Sequence, residues 1–245
     1  MTRLREHRMR GVGLRVAGPP LTRPGPGRQR RAQPLRLPDL TGAPVKVIHQ
    51  RVADLTVMFA IDGSGSVHGP CGTDPAGARS AACLSVLDLM RRNGGGRAGV
   101  VHWGDTAPAD LALAPMPVRR RRLRQALSLQ PMLGGTNPAA ALARVAQLTQ
   151  AADPSRTLAV LMLTDGQDLG EGLERELTQL PPRSVNLLLV DPSGDCYGQE
   201  AAWRALPWGS FTRLENLRDG KRVAWESGTV LAHSLGLRLL HGTLA

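Results

Sequence analysis

The chain has 245 residues, a net charge of +11 and a hydrophobic fraction of 42% with only 3% aromatic residues, enough for one large or two small cores built mainly from Leu, Val and Ala. The charge is not spread evenly: residues 1–37 hold ten Arg against one acid, Glu6, so that segment carries +9 and the remainder only +2. The whole-chain basicity therefore says little about the globular part, and it excludes reading that part as a nucleic-acid binder on charge alone.

Residues 1–42, rich in Arg, Pro and Gly and without helical or strand period, are expected to form a disordered tail. Three readings of it stand: an electrostatic arm for RNA, DNA or anionic lipid, a solvated tail, or a stretch upstream of a true start such as Met9. No aromatics interleave with the arginines, so base stacking has nothing to work with. Residues 45–56 lead into a first buried strand with its core at Val57–Ile61. A helix is expected over 76–92, with Ala82, Val86, Leu89 and Met90 on its buried face, stopped by Asn93-Gly-Gly-Gly96. A strand over 97–103 and a weaker one over 109–116, joined by a turn at Asp105 and Thr106, read as a hairpin. A short helix over 118–129 follows. After a glycine-rich turn, Pro138 starts a helix running to about Ala151. Strands over 157–163, 184–190 and 210–214 alternate with helices over 171–180, 199–206 and 223–240. Such alternation implies parallel pairing with right-handed crossovers and helices on both faces of one sheet. No internal repeat and no second domain is visible.

The three cysteines, Cys71, Cys83 and Cys196, are odd in number and have no Cys-x-x-Cys spacing. That argues against a disulfide framework or a zinc site and for reduced thiols. The amino terminus offers no apolar stretch of signal-peptide length, Arg30-Arg31 has no hydrophobic region after it, and the longest apolar runs are strand-sized. A soluble, cytoplasmic protein is the expectation.

The chemistry lies where strands end. Leu55-Thr-Val-Met-Phe-Ala-Ile-Asp-Gly-Ser-Gly-Ser66 stops on Asp62, Ser64 and Ser66, a carboxylate and two hydroxyls at alternate positions. Hard oxygen donors at the carboxyl end of a sheet suit Mg²⁺, Mn²⁺ or Ca²⁺ rather than zinc or copper. Thr136 sits in Gly134-Gly-Thr-Asn-Pro138, and Asp165 ends Leu158-Ala-Val-Leu-Met-Leu-Thr-Asp-Gly166. Taken singly, Asp62, Ser64 and Thr136 are also the residues that cap helices and make turns.

With these three motifs in this order, residues 52–240 resemble the von Willebrand factor type A (VWA) family, in particular its bacterial intracellular members with a complete metal-ion-dependent adhesion site. The resemblance implies a three-layer, Rossmann-like α/β fold with a mostly parallel sheet of about six strands, one antiparallel edge strand, and a VWA domain over 43–245. It implies that Ser64, Ser66 and Thr136 ligate the ion, that Asp62 and Asp165 act through bound water, and that a partner's Asp or Glu takes the remaining position. It further implies a non-enzymatic adaptor with Mg²⁺ (or Mn²⁺ or Ca²⁺), working in a multi-protein system such as one with a MoxR-type AAA+ ATPase. Two alternatives remain: a metal-dependent hydrolase or phosphatase, for which Asp165 or His68 would have to serve as base, and nucleic-acid binding through the tail. Around the motifs, His68, Cys71 and Asp74 either shape the partner surface or add ligands, and Asp168 either extends the acidic rim or is solvated. Asp191 ends another strand and has no ligand role in the family. Arg119–Arg122 with Arg124 is either a docking patch for acidic or phosphate groups or a solvated helix face.

Overall fold

The computed structural model describes residues 33–68, 72–74, 77–107, 109–129, 131–150, 153–190, 198–215 and 220–240. The first of these are not a loose tail. Leu37 and Leu40 are buried in the core, and the two-residue strand β1 (Leu40–Thr41) pairs antiparallel with β8 (Arg238–Leu239), placing Leu40 opposite Leu239. Packed structure thus begins several residues before the expected boundary at 42, because two leucines inside an Arg- and Pro-rich stretch find an apolar surface. Helix α1 (Val45–Ala53) follows, where a lead-in to a strand was expected. Its Ile48 and Val52, four apart, are buried while Val45 and Val47 face out. Tertiary packing of that stripe outweighs the weak helix propensity of a Val-rich segment.

Strand β2 (Leu55–Asp62) is buried at all eight positions. It runs into a one-turn helix, α2 (Gly65–His68), and then the long helix α3 (Ala78–Arg92). Asn93 ends α3 by donating its side-chain amide to Leu89 O at 2.8 Å, and Gly94–Gly96, all at positive φ, carry the chain into β3 (Arg97–Trp103). Strand β4 (Ala109–Pro115) returns antiparallel beside β3. Then come α4 (Met116–Leu127), α5 (Pro138–Thr149), β5 (Thr157–Thr164), α6 (Leu173–Thr178), β6 (Val185–Val190), α7 (Glu200–Ala205), β7 (Ser210–Leu214) and α8 (Gly220–Ser234). Helix α8 stops earlier than the apolar pattern to 240 suggests. Gly236 takes φ +64°, Leu237 N–H turns back to Ala232 O at 2.8 Å, and the chain leaves as β8.

The six-stranded sheet has the order β4-β3-β2-β5-β6-β7, parallel except for the β3–β4 pair at its edge. Alternate residues of β2 go to opposite faces. Val57, Phe59 and Ile61 join a core with α3 and α8, whereas Met58 and Ala60 join one with α5, α6 and Trp203 of α7. This is the expected three-layer α/β fold with a mostly parallel sheet and one antiparallel edge strand. Among the described residues, no helix is long and apolar enough to cross a membrane.

Candidate metal centre

Parallel pairing of β2 with β5 sets Ile61 beside Leu163, so the residues that follow, Asp62 and Thr164, end the two central strands side by side. Asp62 is wholly buried. Its Oδ1 accepts the Ser64 N–H at 2.8 Å and its Oδ2 accepts the Thr164 hydroxyl at 2.6 Å. The short return from Asp62 to Ser64 turns the chain so that Ser64 Oγ and Ser66 Oγ lie 3.0 Å apart. Asp165, also fully buried, follows Thr164. Its Oδ1 accepts the Gln167 N–H at 3.3 Å and its Oδ2 the Thr73 hydroxyl at 3.4 Å.

The Thr136 loop is stitched to the same corner by its backbone. Leu133 N–H donates to Gly63 O and Gly65 N–H donates to Gly134 O, both at 2.8 Å. Thr136 itself is half-buried, two residues beyond that contact. Asn137 then caps α5, its Oδ1 accepting the Ala140 N–H at 3.0 Å. Glycine is required at 63, where a Cβ would stand 2.7 Å from Pro131 O, and at 134, which has φ +86° and lies against the Asp105 carboxylate.

The Asp165 turn has its own brace from α7 and the residue before it. Trp203 Nε1 donates to Gly166 O at 3.2 Å, and Gln199 Oε1 accepts the Leu169 N–H at 3.2 Å. Trp203 is held in turn by Trp208, whose ring stacks on it at 6.0 Å and whose Nε1 donates to Trp203 O.

Electrostatically, the corner is short of positive charge. Burial pushes the Asp62 carboxyl above its ordinary value of 3.8, against the pull of the Arg79 guanidinium. Asp165 adds to the rise, and the hydrogen bonds from Thr164 and Ser64 offset part of it. Among the described residues, no three His, Cys, Asp or Glu side chains gather as a metal-binding group. An ion here would have to be held by hydroxyls as well as the two carboxylates, and the donors present are of that kind.

Sequence reasoning overlooked two participants, Thr73 and Arg79, and read a third, Asp74, as a shaper of the partner surface or an added ligand. Thr73 and Asp74 reach the site because their loop folds back, with Thr73 N–H on Ser66 O and Asp74 N–H on Val67 O. Asp74 is a helix cap: its two oxygens accept the Ala78 and Arg79 N–H groups at 2.7 and 3.0 Å. Arg79 is buried, and its Nη2 donates to Thr73 Oγ1 at 3.0 Å. Its position was legible, since 79 lies three residues before Ala82 and seven before Val86, on the face of α3 that reads as buried. Asp168 is exposed and accepts the Gly170 N–H at 2.9 Å, making a turn. Cys71, Asp191 and the side chain of His68 lie outside the described residues. On α4, Arg120, Arg121 and Arg122 are exposed and Arg119 and Arg124 half-buried, with a break in helical geometry at Arg119.

Comparison with known proteins bears on the fold. Solved structures share the fold at low identity. The pilus adhesin SpaC from Lactobacillus rhamnosus GG aligns with a TM-score of 0.58 at 13% identity, over 73% of this chain and 31% of that one. Proximal thread matrix protein 1 from the mussel byssus, solved with a zinc-occupied MIDAS motif, aligns at 0.53 and 18% identity over 73% and 45%. A von Willebrand factor type A protein from Catenulispora acidiphila aligns at 0.53 and 17% identity over 72% and 42%. The chain thus spans less than half the length of each of these three. No curated protein sequence matches it. The family model of the von Willebrand factor type A domain does match, over residues 57–167, the segment that runs from the first motif through Asp165, and the described fold is the one that family's solved structures show.

Proposed function

We propose that the chain is a metal-dependent protein-binding module with no turnover of its own, capturing an Asp or Glu of a partner at a divalent ion, Mg²⁺ or in its place Mn²⁺ or Ca²⁺. The observation that supports this reading is the network at the ends of β2 and β5: Asp62 accepts from the Ser64 N–H and the Thr164 hydroxyl, Ser64 Oγ lies 3.0 Å from Ser66 Oγ, and buried Asp165 follows Thr164 in the chain. By likeness to the family, Ser64, Ser66 and Thr136 would hold the ion directly, and Asp62 and Asp165 through water. A bound ion supplies a Lewis-acidic point to which a carboxylate can attach. The residues of this chain do the rest. Thr164 and the Ser64 N–H fix the Asp62 carboxylate, Thr73 and the Gln167 N–H fix that of Asp165, and hydroxyl ligands carry no charge, so the ion keeps its attraction for an incoming acid. The mussel relative's zinc-occupied motif supports a divalent ion at such a corner. We place the module in the cytoplasm within a multi-protein system, with a MoxR-type AAA+ ATPase as the partner class.

Capture of partners from a lysate on immobilised protein, with Mg²⁺ or with EDTA, tests this. Capture should be lost with EDTA and with Asp62→Ala, and restored to the wild type by Mg²⁺ or Mn²⁺. A partner retained equally under chelation and by Asp62→Ala would overturn the reading, as would phosphoester turnover by the purified protein.

A further inference from the structure

Arg79 is a full positive charge where packing alone would place a hydrophobe. It lies in the first turn of α3, 1% exposed. One guanidinium nitrogen, Nη2, donates to Thr73 Oγ1 at 3.0 Å, and that hydroxyl donates to Asp165 Oδ2 at 3.4 Å. The other two, Nε and Nη1, have no hydrogen-bond partner among the described residues. A buried guanidinium with unmet donors is costly unless carboxylates face it. Three buried aspartates belong to the segments around Arg79: Asp74 just before α3, and Asp62 and Asp165 at the strand ends. Asp74 is held by the two N–H groups at the start of α3, whereas Arg79 reaches Asp165 through the Thr73 hydroxyl. The attraction between Arg79 and Asp62 agrees with this placement.

We propose that Arg79 is a built-in rival of the divalent ion: it offsets one of the two negative charges of Asp62 and Asp165 when no ion is bound and thereby holds down the site's affinity for the ion. The inference rests on the metal-site reading above. Its logic is electrostatic. The fixed guanidinium is a like charge that repels the ion and favours an incoming carboxylate. Arg79 is therefore a positioning and tuning residue that acts through Thr73 and the two acids, without being a ligand.

The test uses the full chain stripped with EDTA, as wild type, Arg79→Met and Arg79→Lys, with circular dichroism to confirm folding and Mn²⁺ alone as the probe in calorimetry. Arg79→Met should bind Mn²⁺ roughly tenfold or more tightly than wild type, since it removes a like charge at close range. Arg79→Lys, which keeps the charge, should stay near wild type. The rise in melting temperature on adding Mn²⁺ should be largest for Arg79→Met. Equal or weaker binding by folded Arg79→Met, with wild type binding normally, overturns this inference and leaves the metal-site reading standing. Uptake by Arg79→Met but not by wild type upholds the inference and sinks the adhesion reading. Uptake by neither sinks both. Should Arg79→Met not fold, arginine-selective ¹⁵N labelling of the wild type decides, with the Arg79 signal identified by its loss in Arg79→Lys. That Nε–H resonance should move as Mg²⁺ is added, and a resonance unmoved through saturation overturns the inference.

Discussion

Cys83 lies on the inner side of α3, buried, one turn after Arg79. Burial pushes its thiol far above the ordinary value of 9.0, Asp74 adds to the rise, and Arg79 pulls the other way. A folded-state value above the unfolded one means stability that is complete below the unfolded value and lost as pH climbs past it, because only the unfolded chain can release the proton. Urea midpoints should therefore fall from about pH 8 to about pH 10, and Cys83→Ala, though less stable at neutral pH, should show a shallower fall. Gly63 makes a sharper test of the corner's close packing. A methyl there meets the Pro131 carbonyl, which is main chain and cannot swing aside. Gly63→Ala should lower stability by ~1–3 kcal/mol in a thermal melt and weaken Mn²⁺ binding as the 131–134 loop is displaced. Residues at this scale were readable from sequence when a strand end announced them. Asp62, Ser64, Ser66 and Asp165 each follow an apolar run, and parallel pairing of β2 with β5 ends the two runs side by side. Thr73 has no such herald. Its role depends on a loop doubling back on Ser66 and Val67, a long-range event that local pattern does not encode.

Among the elements, β2, β3, β5 and β6 are legible because each is a short apolar run between turn signals, and β4 because a turn at Asp105 and Thr106 joins it to β3. The misread elements are those whose character is decided by what they pack against. Helix α1 has a Val-rich sequence that propensity alone assigns poorly, and only the burial of Ile48 and Val52 decides it. Strand β1 is two residues long, and Leu37 before it is hidden in sequence by Arg36 and Pro38. In the fold, Leu37 is fully packed, with Gly228 of α8 close enough that a methyl there would touch its Cδ1 at 2.8 Å. Arg92 Nη2 also donates to Leu37 O at 2.6 Å. Leu37→Ala should cost about 2–5 kcal/mol in chemical denaturation, a loss that a solvated tail would not produce.

For the molecule as a whole, charge and chemistry are separate. Nine of the ten arginines before residue 37 fall in residues 1–32, outside the described fold, while the oxygen-lined corner belongs to a nearly neutral body. Binding of the full chain to a DNA duplex should be indifferent to sequence, fall steeply between low and physiological salt, and vanish on removal of residues 1–32, with Mn²⁺ uptake unchanged. Filter binding across a salt series measures it.

The β1–β8 clasp bears on how the fold can be rearranged. Helix α3 leaves the metal corner and runs back along the sheet to Arg92, which grips Asp39 and Leu37 O next to that clasp. Strands β1 and β8 are thus neighbours at the pole away from the corner. A circular permutant that joins 240 to 33 through a flexible linker and opens at a distant loop should keep the β1–β8 clasp and its core.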